Sequence, residues 1–151
     1  MPNDESGQTR ALARLEAFVG EWIEQVDLPD VPPGRMVFEW ILDGQYLLQR
    51  SEIPDPQFPD SIAIIAPNAD GVRYTQHYFD SRGVVRVYGM SLDEGRWTLV
   101  RSAPDFTPLN FSQRLTGTFA ADGRTITAWW ESCDDGVHWH KDFDLTYTKI
   151  T

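Results

Sequence analysis

Apolar and polar residues alternate with period two over much of this chain, most clearly near its C-terminal end. Trp139, Phe143, Leu145 and Tyr147 fall on one face of that stretch, together with Lys141. His138, His140, Asp142, Asp144, Thr146 and Thr148 fall on the other. Successive side chains of a β-strand point to opposite faces, so this is a strand with one buried side. The aromatic face belongs inside. That sets the Lys141 ammonium on an interior wall, where it needs an opening or a partner.

Comparable short runs rich in Val, Ile, Thr, Tyr, Phe and Trp recur along the chain. Turn signals separate them: Asp43-Gly44, Asp70-Gly71, Arg82-Gly83, Glu94-Gly95, Asp122-Gly123 and Asp135-Gly136. Glycine accepts the positive φ of a tight hairpin, and an Asp beside it bonds its own backbone. The pattern predicts about ten strands, near 21–27, 35–42, 45–53, 61–67, 72–80, 84–91, 96–102, 110–119, 124–133 and 137–149. Three longer connections contain prolines, which cannot donate to a ladder: Leu28 to Gly34, Pro54 to Asp60 and Ala103 to Leu109.

Ahead of the strands, Ala11, Leu12, Leu15, Phe18 and Val19 have helical spacing, with Thr9 as a cap and Gly20 as a stop. This predicts a short helix over 10–19 that lids one end of the fold, after a disordered tail over 1–8. Residues 9–151 read as one all-β domain. Consecutive hairpins with few long crossovers favour an antiparallel up-and-down closed barrel, because closure removes exposed edges.

Composition narrows the partners. The 151 residues carry 23 acidic and 13 basic side chains, a formal charge of −10, which repels phosphate backbones and anionic membranes. Nucleic acid and membrane are therefore not expected, and the charge reads as solubility. The single Cys133 excludes an internal disulfide and has no second thiol at metal-ligand spacing. The polar N-terminus lacks a signal-peptide pattern, and no apolar run approaches the roughly 18 residues of a membrane helix. A cytoplasmic protein is the expectation.

The helix leads into Phe18-Val19-Gly20-Glu21-Trp22, a Gly-x-Trp at the start of the first strand. This resembles the opening signature of the calycins, the lipocalin and fatty-acid-binding-protein superfamily. Asp43-Gly44, Tyr78 to Gly83, Gly117 to Gly123, Trp130 to Gly136 and Trp139 to Thr148 are similar to bacterial lipocalin-like domains of uncharacterised function. The resemblance covers nearly the whole chain after residue 10 and rests on the order and spacing of these pieces. It implies a barrel with one open end, an internal cavity and a Trp plugging the other end. One calycin branch, the nitrobindins, holds haem through a histidine on its last strand. The same alternation here puts Asp142 at that position, with His140 two residues off, which weighs against haem.

Reactive chemistry finds little support in the residues. His138 and His140 share a face, continued by Asp142, but parity turns that row outward, and no metal site is expected. His77 also faces away from Tyr74, Gln76 and Tyr78. Asp134 and Asp135 beside Cys133 disfavour its thiolate, and there is no nucleophile elbow. The promising set is polar residues in phase with aromatics. Tyr74, Gln76 and Tyr78 alternate on one strand, Arg86, Tyr88 and Met90 on the next, then Trp97, Leu99 and Arg101, then Phe111, Gln113 and Leu115. With Trp40, Trp130, Trp139 and Lys141 they are candidates to line one cavity.

An apolar pocket with a few convergent polar groups suits a small molecule, and Arg101 or Lys141 would anchor an anionic head group. The leading expectation is non-catalytic binding of a small, mostly apolar ligand; beyond that ligand, the one partner to consider is a second copy of the chain. Two alternatives stay open. One is a small enzyme in which Tyr74, Tyr78, Arg101 and Lys141 act on an aromatic or acidic substrate. The other is a structural or interaction module with a filled barrel.

Overall fold

The computed structural model describes residues 2–151, with side chains described from residue 7 onward. Ten strands follow an N-terminal helix: β1 (Gly20–Val26), β2 (Gly34–Ile41), β3 (Tyr46–Glu52), β4 (Ser61–Pro67), β5 (Tyr74–Asp80), β6 (Val85–Asp93), β7 (Arg96–Arg101), β8 (Ser112–Phe119), β9 (Thr125–Cys133) and β10 (His140–Lys149). Each lies antiparallel beside its neighbours in sequence, and β1 meets β10 to close the ring. The expected architecture is therefore the one observed.

Three of the four Asp-Gly turns are held by their own acid. The Asp70 carboxylate accepts from the N–H groups of Val72 and Arg73. Asp122 accepts from Arg124 N, and Asp135 from Val137 N and His138 N. Each acid bonds the backbone that its own turn leaves unpaired.

The helix differs from expectation. It is α1 (Pro2–Leu15), continued by a 3-10 turn over Glu16–Phe18, rather than a helix over 10–19. Thr9 lies within it and does not cap it. The tail expected over 1–8 falls largely on residues whose side chains lie outside the description; Gln8 donates to Asn68 O at 2.9 Å. Ala11, Leu15 and Phe18 are buried, with Leu12 and Val19 packed against the same core.

This helix closes one end of the barrel. Phe18 meets Phe38, Trp97 and Phe119 with ring centres 4.9–5.2 Å apart. Trp22 is fully buried beneath it and donates its indole N–H to Phe18 O at 2.8 Å. Gly20 of the Gly-x-Trp has φ 132°, and a Cβ there would meet Lys149 Cε and Thr151 O at 2.9 Å. No other residue fits that turn into β1. At the opposite end Val26, Val31 and Ile53 form a smaller cluster with Leu28, Phe58 and Phe143.

Candidate functional site

The inward rows of the strands fill the helix end with rings and leave a cavity of about 340 Å³ toward the other end. Gln57 and Arg82 stand exposed at its rim. Two polar groups face it from opposite walls.

On one wall, β1 alternates Trp22, Glu24 and Val26 inward. Glu24 is buried to 7% exposure and accepts from Ser51 Oγ at 2.6 Å, with the Tyr147 hydroxyl beside it. Burial pushes its carboxyl up to about 7, and the hydrogen bonds from Ser51 and Tyr147 offset only part of this. Gln76 Nε2 donates to Gln49 Oε1 nearby. The opposite wall comes from β6 and β8. Gln113 Oε1 accepts from the Tyr88 hydroxyl at 2.9 Å and from Arg86 Nη1 at 3.2 Å. The Arg86 guanidinium lies 5.6 Å from the Phe111 ring centre, and its Nε has no hydrogen-bond partner among the described residues. Burial raises the hydroxyls of Tyr78 and Tyr88, so both remain protonated donors.

Of the residues expected on this wall, Gln76, Tyr78, Tyr88, Gln113 and Trp130 line the cavity. Trp130 packs edge-on against Tyr88 at 5.9 Å. Tyr74 and Trp40 belong instead to the helix end. The Tyr74 hydroxyl donates to Ala11 O at 2.7 Å, and Trp40 Nε1 donates to Glu16 Oε2 at 2.9 Å. Arg101 is inward in phase but fully committed: it makes two 2.8 Å bonds to Asp105 and another to Thr107 O. That pair holds Asp105 well below the usual carboxylate range and fastens the loop between β7 and β8.

Trp139 and Lys141, expected inside, are outside. Lys141 pairs with Glu131 in register, yet Phe143 pairs with Trp130, so Asp142 is an extra residue. This β-bulge inverts the parity of everything before it. Lys141 is exposed and sits 3.1 Å from Asp144 Oδ1, and Trp139 lies over the Arg114 guanidinium at 4.0 Å. Asp142, expected on the outer face, borders the cavity mouth. His138 and His140 are exposed as expected, and His77 is too. No histidine lines the cavity among the described residues.

Glu24, Ser51 and Phe58 are cavity residues that the strand pattern did not single out. For Glu24 a signal existed, since it lies in phase with Trp22 two positions earlier.

Fold and site together define a closed ten-stranded antiparallel barrel with one helix-capped end and a cavity at the other. The crystal structure of Rv2717c from M. tuberculosis is similar, with a TM-score of 0.62 over 93% of this chain and 98% of that one. Sequence identity is 11%, so the likeness concerns the fold. No protein-family model matches the chain. No curated protein matches it either. No helix among the described residues is long and apolar enough to cross a membrane.

Proposed function

We propose that this chain is a calycin-like barrel that binds one small, mostly apolar ligand bearing an anionic group, without catalysis. The carrying observation is Arg86: a cation on the inward row of β6 with no carboxylate partner among the described residues. Arg101 and Arg82 have such partners in Asp105 and Asp80. Gln113 and Phe111 hold the Arg86 guanidinium in place, which leaves donors for an oxyanion. Aromatic walls supply the apolar contact. The calycin part is supported by the helix, the Gly-x-Trp turn and Trp22 plugging the closed end.

Nucleic acid has no place in this reading, given the charge of −10. The cytoplasmic setting is supported by the single free thiol of Cys133. The enzyme alternative loses ground because Tyr74 is committed to Ala11 O and Tyr78 to Asp80.

The test is a titration of 2-naphthoate followed by tryptophan emission, since Trp97 and Trp130 line the cavity. Saturable binding in the micromolar range, about −8 kcal/mol, is expected. Arg86→Met weakens it by about 1.5–3 kcal/mol, the range for a charged hydrogen bond. Lys141→Met, on the outer surface, leaves it unchanged. Absence of saturable binding to the wild-type protein, or binding indifferent to Arg86, overturns the proposal.

A further inference from the structure

Four charged side chains line the cavity, and two of them, of opposite sign, are neither ion-paired among the described residues nor exposed at its mouth. Arg82 is paired with Asp80, and Asp142 is exposed at the mouth on Ser132. That leaves Glu24 on β1 and Arg86 on β6. In the ring order, β6 is five strands from β1 in either direction, so the two stand on opposite walls. Tyr88, Trp97, Leu99, Leu115 and Trp130 line the same cavity and give it aromatic and aliphatic surface.

We propose that the cavity's ligand is bipolar: a flat apolar body carrying an oxyanion for Arg86 at one end and a protonated amine for Glu24 at the other. This rests on the anion site of the preceding reading and adds the second recognition point. A buried acid needs a strong partner, and a charge-assisted bond from an ammonium is the strongest on offer. Facing aromatic rings also favour a cation. The acidic surface, at −10, repels a simple anion but not a zwitterion.

No charged group on the neighbouring strands supplies what an amine would. Opposite Glu24, β2 presents Gly34 and β10 presents Tyr147. From β3 comes only the Ser51 hydroxyl. Beyond these, the titratable groups on the cavity wall are Tyr78, Arg82, Tyr88 and Asp142, together with Arg86 itself. With its carboxyl pushed up to about 7, Glu24 is mostly neutral in the empty protein at pH 6. An arriving ammonium converts it to carboxylate, and the proton leaves to the buffer.

Three aromatic acids of increasing length test this: p-aminomethylbenzoate, 6-aminomethyl-2-naphthoate and 4′-aminomethylbiphenyl-4-carboxylate, each beside its amine-free parent. Calorimetry at pH 6 in two buffers of different ionisation enthalpy reads proton release directly. One amino member is expected to bind at least tenfold tighter than its parent at pH 8. It releases close to one proton at pH 6 and tightens about tenfold between pH 6 and pH 8. Glu24→Gln abolishes both the advantage and the release. If the parents bind but no amino member gains, the Glu24 proposal is overturned and the anion site stands. A gain without proton release, or one that survives Glu24→Gln, overturns it as well. If neither series binds, both readings fall.

Discussion

Glu24 shows what one residue does to the energetics of this fold. Its carboxyl lies at about 7 when folded, against an ordinary value of 4.5. Between those values the folded chain holds a proton that the unfolded chain has lost. Stability from this group is therefore present at low pH and falls as pH rises through 7. Above that, the charged, desolvated acid costs on the order of 3 kcal/mol relative to a neutral side chain. Glu24→Gln removes the ionisation and keeps the shape. Urea unfolding at pH 5 and pH 8 should show a variant close to wild type at the lower pH and more stable at the higher. A difference that does not change with pH would mean that Glu24 is not desolvated as the structure has it. A protein that retains such a residue on an inward row, between Trp22 and Val26, holds a group that water does not serve. Nothing in the local sequence marks this beyond phase: the acid at 24 is visible, but its burial depends on Ser51 and Tyr147 arriving from β3 and β10.

At the level of elements, the strands were legible and one irregularity was not. Period-two alternation and Asp-Gly turns place all ten strands, because hairpin geometry is local. The bulge at Asp142 is a tertiary event, fixed by the register of β10 against β9, and it moves Trp139 and Lys141 to the outer surface. The Arg101–Asp105 pair was hidden for a similar reason: its partner comes from a proline-rich loop without periodicity. The helix was legible in its buried face, Ala11, Leu15 and Phe18, but not in its start, where the composition is polar. Its docking onto the barrel rests on Trp22 and on the Tyr74 hydroxyl bond to Ala11 O. Trp22→Ala should cost about 3–5 kcal/mol in equilibrium unfolding, the usual loss for a large buried ring. A loss near 1 kcal/mol would mean that the helix end collapses around the gap and is not the rigid floor of the cavity.

Across the whole molecule, a barrel of this width is filled at the end where rings from six strands and the helix turn converge, and hollow where they do not. The wall there mixes aromatics with the Arg86 cation and the buried Glu24 acid, and the chain as a whole carries a formal charge of −10. These two scales oppose each other for a simple anion such as 2-naphthoate. The global field repels it over a distance set by the ionic strength, while Arg86 attracts it only once it is inside. Raising the salt from about 0.01 M to about 0.15 M shortens the screening length from about 30 Å to about 8 Å. That removes most of the long-range repulsion and leaves the partly buried contact nearly intact. Stopped-flow measurements should therefore show the association rate rising severalfold with salt, with the dissociation rate little changed. A zwitterionic probe should show neither effect. If salt instead slows the association of 2-naphthoate, the field at the mouth is set by Arg86 and Arg82 rather than by the acidic surface, and selection by charge begins before the ligand enters.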